Sequence, residues 1–136
     1  MPIIRYELND IITLSTQECK CGSHFRVIEK IQGRADDLFW GLRKTDGARH
    51  FIYQDYISRN IISVSNRIDE FQAIQKDYEH LVLRIQLNPE TEEDEKAKIR
   101  EELISIIRKV FTSYNCREPE VTVIFAEPLK NINSGK

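Results

Sequence analysis

The sequence predicts an α+β fold: a small β-ribbon followed by an α-β-β-α-β domain, with a sheet of about three strands and helices packed on one face. Three observations predict it. Short β-branched and aromatic runs broken by polar turns fill the first third, and Asp46-Gly47 sits between two apolar runs, a strong short-range hairpin signal. A long segment from about Pro89 to Phe111 carries apolar residues at helical spacing between an acidic start and a basic end. Strand-like and helical patterns then alternate to the last strand, and short connections with right-handed crossovers put the helices on one side of a sheet.

A chain of 136 residues suits one domain, or one domain with a short piece of another attached, and has no room for two full cores. Forty per cent apolar and 31% charged residues, with five Gly and four Pro, exclude a disordered or collagen-like chain. No run approaches the ~18 apolar residues of a bilayer span. Met1-Pro2-Ile3-Ile4-Arg5-Tyr6 lacks the basic and apolar regions of a secretory signal, so the expected location is cytoplasmic, with no membrane partner. A net charge of −2 argues against a nucleic-acid partner and against polybasic membrane attachment. Three cysteines, an odd number, point to reduced thiols instead of a disulfide framework.

Taken in order, residues 2–8 and 11–15 read as short strands around the turn signal Asn9-Asp10. An Asx-turn is the structural role open to Asp10 there. Cys19-Lys20-Cys21-Gly22-Ser23-His24 is a turn. Its Cys19, Cys21 and His24 are three soft donors, but zinc sites pair Cys at wider spacing and need a fourth ligand, so two reduced thiols and no metal are expected. Cys116 joins them only if the fold returns it. Residues 25–31 alternate as a strand leading into Gly33-Arg34-Ala35-Asp36-Asp37, a glycine, a cation and two carboxylates that together want solvent, a ligand or a hinge.

Residues 37–42 and 48–53 form the ribbon, with Trp40 expected to pack it against the body. Ile57, Ile61, Ile62 and Val64 predict a helix over 55–65. Strands follow at 70–76 and 81–87; in the second, Leu81, Leu83, Ile85 and Leu87 share one face, and Arg84 and Gln86 the other. His80, in the turn, is expected to be solvated. The helix over 89–111 is capped by Asn88 with Pro89 at its first position, has Glu90, Glu92, Glu93, Asp94 and Glu95 at its positive end, and has Arg108 and Lys109 at its negative end. Ile99, Leu103, Ile106, Ile107 and Val110 make its buried stripe. Residues 120–125 are the last strand, before a polar tail to Lys136.

Tyr6 to Asp10, Gly33-Arg34-Ala35-Asp36-Asp37, Glu70-Phe71-Gln72 and Ser134-Gly135-Lys136 stand in an order and at separations that resemble the C-terminal part of adenylate-forming enzymes. The nearest branch holds phenylacetate–coenzyme A ligases, capsule-biosynthesis adenylating proteins and deazaflavin-coenzyme adenylating synthetases. The resemblance covers nearly the whole chain. It implies that residues 1–35 are the C-terminal strip of a missing large N-terminal adenylating domain and that residues 36–136 are the lid that swings over it. It implies ATP and Mg²⁺ as cofactors, a carboxylic acid substrate converted to an acyl-adenylate with release of pyrophosphate, and coenzyme A as the acceptor. By the resemblance, Asp10 and Arg34 hold the ribose of ATP, Asp36 is the hinge and Lys136 is the catalytic lysine. Where the family pattern has arginine, threonine and glycine before the aspartate, this chain has Glu7, Leu8 and Asn9. Its Gly41 to Phe51 segment is longer and more basic than the family's post-hinge loop. Without the large domain the chain is expected to be inactive, and the exposed strands of residues 1–35 invite pairing into a homodimer. A reading from a different class is a stand-alone, non-catalytic α+β binding or oligomerisation module.

Overall fold

In a computed structural model, which describes residues 10–34 and 38–129, the elements are β1 (Asp10–Leu14), β2 (Ile28–Arg34), β3 (Leu38–Leu42), β4 (Arg49–Tyr53), α1 (Gln54–Ile62), β5 (Ile68–Gln75), β6 (His80–Leu87), α2 (Glu93–Ser113) and β7 (Glu120–Phe125). The α+β class follows directly. The chain divides into two compact units, Met1–Leu38 and Phe39–Lys136.

The first unit holds the antiparallel pair β1–β2, in register from Asp10 opposite Arg34 to Leu14 opposite Ile28. Ile11 faces Gly33 and Ile12 faces Ile31, so Gln32 is an extra residue beside the glycine, an irregularity at which a strand glycine is at home. Gly33 and Arg34, expected in a junction turn, therefore lie in a strand. That strand starts three residues later than the alternation suggests, because its limits are set by the length of β1. The strand expected at 2–8, and Ala35, Asp36 and Asp37, lie outside the described residues. None of residues 10–31 is buried, and Phe25 is 86% exposed and Ile31 67%. A two-stranded hairpin is marginal by itself.

The second unit is built on the three-stranded sheet β5-β6-β7, with β6 antiparallel to β5 and parallel to β7. Period-two alternation turns Leu81, Leu83 and Ile85 of β6 and Val121 and Val123 of β7 into one buried face. Against them pack Ile57 and Ile61 of α1 and Ile99, Leu103, Ile107, Val110 and Phe111 of α2, in one core cluster that also takes in Phe39 and Ile52 of the ribbon. Both helices thus cover the same side. Ile106 is only partly buried, and Ile62 is exposed.

Both ends of α2 differ from the expectation. Asn88 caps a tight turn instead of the helix: its Oδ1 accepts the Glu90 N–H at 2.9 Å, and its carbonyl accepts the Thr91 N–H and hydroxyl. The helix starts at Glu93, with Glu93, Asp94 and Glu95 in its first turn, and its last turn has no basic residue. Arg108 and Lys109 sit further in because the helix runs to Ser113. It stops in a Schellman arrangement, in which Asn115 takes a positive φ of 56°, its N–H reaches the Thr112 carbonyl and the Cys116 N–H reaches that of Phe111.

Fully buried Cys116 and Phe111 then meet the ribbon at Gly41. A β-carbon on Gly41 would stand 2.9 Å from both Cβ and Sγ of Cys116 and 3.2 Å from the Phe111 ring. Only glycine lets β3 come this close. The approach is fastened by backbone bonds from Lys44 N–H to the Asn115 carbonyl and from Arg117 N–H to the Leu42 carbonyl. Asp46-Gly47 does turn the ribbon, with Gly47 at a φ of 67° and Arg43 and Asp46 paired at 2.8 Å. Trp40 does not dock it. The residue is 38% exposed and its ring lies edge-on to Phe51 at 6.3 Å, while its neighbours Phe39 and Gly41 are buried.

Gly41→Ala is therefore expected to destabilise the second unit by about 1–3 kcal/mol through overpacking. Asn115→Ala, which keeps the β-carbon and loses the side-chain amide, is expected to cost about 1 kcal/mol. Denaturant midpoints at unchanged m-value check both.

Candidate functional site

Of the residues to which the resemblance gives roles, two are brought together. Asp10 begins β1 and is exposed, and the antiparallel register sets it opposite Arg34, the last residue of β2. By residue type, one is a carboxylate that accepts hydrogen bonds and the other a guanidinium that donates them. Asp36 and Lys136 lie outside the described residues.

At the other end of the hairpin, the Ser15 N–H bonds to the Val27 carbonyl at 2.9 Å, closing a loop that surrounds a cavity of 310 Å³. Within it a turn is closed by the Gly22 N–H on the Cys19 carbonyl at 3.0 Å, with Gly22 at a φ of 77°. That turn sets the Cys19 and Cys21 Sγ atoms 2.8 Å apart. Hydrogen bonding from the Cys19 thiol, and next from the Ser23 backbone, holds the Cys21 thiol below its ordinary range. Among the described residues no group of three or more His, Cys, Asp or Glu side chains is placed to hold a metal. Cys116 is not an available donor, because it is wholly buried in the second unit, where burial pushes its thiol up.

On the second unit, the face of the sheet opposite the helices carries the departing chain. The Ala126 N–H bonds to the Ile85 carbonyl. Arg84 Nε of β6 then donates to the Glu127 carbonyl at 2.9 Å. Beyond it, Gln72 of β5 takes the Leu129 N–H on Oε1 at 2.9 Å and returns a bond from Nε2 to the Leu129 carbonyl at 3.3 Å. A carboxamide has one donor side and one acceptor side, as a peptide does, so Gln72 pairs with the tail as another strand residue would. Gln75 grips both backbone groups of Trp40 in the same way. These clamps were missed in the sequence. Period two puts Gln72 and Arg84 on the outward face, but no local pattern shows which distant backbone they meet.

His80 is more than a solvated loop residue. Its Nδ1 lies 2.8 Å from Asp77 Oδ1 and its Nε2 3.4 Å from Glu120. The bond to Asp77 raises the imidazole above its ordinary value, while backbone N–H donors, Glu79 first, together with His80 hold Asp77 below its own. An open groove of 660 Å³ runs along α2 past Glu101, Ile104, Arg108 and Lys109 to Glu118, and its mixed charges select no one ligand class. No described helix is long and apolar enough to cross a membrane. Compared with known protein families and with curated proteins, the chain matches none.

Removing the carboxamide in Gln72→Ala is expected to speed hydrogen exchange of the Leu129 amide while leaving the amides of α2 unchanged. A second outcome concerns pH. The stabilisation from His80 is complete below its unfolded value near 6.5 and fades as pH rises through its raised folded value. That from Asp77 is complete above about 3.9 and fades as pH falls through its depressed folded value. The pair therefore holds the β5–β6 turn between those limits, and Asp77→Asn is expected to lower the His80 midpoint in an NMR titration.

Proposed function

We propose that this chain is the C-terminal lid of an ATP-dependent adenylate-forming ligase together with a strip of the domain before it, acting in the cytoplasm. In this reading Asp10 and Arg34 hold the ribose, Asp36 is the hinge, and Lys136 carries positive charge to the acid carboxylate and α-phosphate as negative charge builds there. The observation that carries it is the strand register: two residues far apart in sequence, to which the resemblance gives the same ribose, are cross-strand partners. The division of the chain just after the Gly33-to-Asp37 stretch supports a swinging lid. The hold of Arg84 on Glu127 and of Gln72 on Leu129 supports it too, because it fixes the start of the segment that leads to the lysine.

The exposed apolar residues of β1 and β2, Ile12, Ile28 and Ile31, fit a sheet completed by the large domain. The same residues favour the second reading, a non-catalytic binding module, if a second copy covers them.

In the ligase that contains this chain, Lys136→Ala is expected to lower acyl-adenylate formation about 10²–10³-fold, while thioester formation from supplied acyl-adenylate is spared. Asp36→Pro is expected to do the reverse, because proline fixes the φ that a hinge rotation changes. Equal effects of both substitutions on both half-reactions would remove the lid mechanism. The 136-residue chain alone is expected to release no pyrophosphate from ATP with any acid.

A further inference from the structure

The loop between β1 and β2 holds a pair of sulfur atoms for which the lid reading has no use. Cys19 and Cys21 are separated by one residue, and the Cys19–Gly22 turn, closed by its backbone bond and permitted by the positive φ of Gly22, brings their Sγ atoms to 2.8 Å. A disulfide bond is about 2.0 Å long, so closing one here asks the sulfurs to move by about 0.8 Å. Access is open, since Cys21 is exposed and Cys19 partly so, whereas Cys116 is buried. Lys20 between the two thiols adds a positive charge that favours a thiolate, the nucleophile in exchange. Around the turn, residues 16–18, 20–22 and 24–26 are all exposed.

We propose that Cys19 and Cys21 form an exchange-active dithiol that takes an oxidising equivalent from a low-molecular-weight disulfide, with glutathione disulfide as its type. The Cys21 thiolate attacks one sulfur of glutathione disulfide, breaking that S–S bond and releasing one glutathione thiolate. The Cys19 thiol then gives its proton to solvent, and its sulfur attacks the Cys21 sulfur of the mixed disulfide. The Cys19–Cys21 bond forms as the second glutathione leaves. Two protein thiols are oxidised and one glutathione disulfide is reduced to two glutathione molecules. The short distance makes the second step intramolecular, so the mixed disulfide is transient. The site is independent of the proposed adenylation chemistry, and it makes this loop a place where cellular redox state is written on the protein.

The test uses the full chain, treated with chelator, reduced, desalted and equilibrated with glutathione disulfide in excess over glutathione. After an acid quench, free thiols are alkylated and the peptides weighed. The expected product is a peptide holding Cys19 and Cys21 that carries no alkyl group and has lost two hydrogens, in a chain that no disulfide joins to another. Cys116 is expected to be alkylated only after unfolding. In Cys19→Ser the resolving sulfur is gone, and the Cys21–glutathione mixed disulfide is expected to accumulate about tenfold or more above the wild-type level. Cys21→Ser, an exposed change that leaves the fold intact, is expected to form no internal bond. Glutathione held on both cysteines of the wild type, a disulfide between two chains, or thiols that stay reduced in the oxidising buffer would each overturn the proposal.

Discussion

The close approach of Gly41 to Cys116 is the contact on which the larger unit depends. Helix α2 supplies more core residues than any other described element, yet its last turn becomes a fixed surface only because Asn115 takes the left-handed conformation that sends Cys116 back under Phe111. The ribbon is fastened to that surface by backbone bonds at Lys44 and Arg117, which need β3 to come closer than a side chain at position 41 would allow. Phe39 and Ile52 then fall into the core. A two-stranded ribbon with little stability by itself thus becomes part of the cooperative unit, and its outer aromatic side, Trp40, Phe51 and Tyr53, is held in place from behind.

Among the described residues, the hairpin β1–β2 shows no counterpart to this contact. Its register is well defined by cross-strand pairing, but none of residues 10–31 is buried, so little hydrophobic driving force acts to keep it formed. Apolar side chains left open on a short sheet are what remains when a strand pair is taken from a larger sheet, or what a partner surface looks like before it is covered. In either case the antiparallel register sets Asp10 opposite Arg34.

Much of the fold was legible because it rests on periodicity. The alternation of Leu81, Leu83 and Ile85 and the stripe of Ile99, Leu103, Ile107 and Val110 are burial patterns, and the core follows them. Punctuation was less legible. Asn88-Pro89 looks like a helix start, but the Asn88 side chain and carbonyl are used by Glu90 and Thr91. The stop at Asn115 has no glycine to announce it. Trp40 was misjudged because ribbon periodicity puts alternate residues inward without saying which set, and small Gly41 with Phe39, instead of the largest ring, meets the helix end.

The candidate site was legible as residue types in sequence order, and only in part as geometry. Asp10 and Arg34 come together through strand register, whereas the clamps at Gln72, Gln75 and Arg84 join segments far apart in sequence and leave no local pattern. The central claim is that residues 39–129 share one buried core, whereas residues 10–31, none of them buried, are held in the β1–β2 hairpin by cross-strand pairing. Residue-resolved amide hydrogen exchange on the monomeric chain tests this most directly. The amides of Leu83, Leu103 and Ile107 are expected to exchange only through global unfolding, and those of Ile12, Lys30 and Ile31 near the rate of an unfolded chain. Equal protection of the two groups in a monomer would contradict the account.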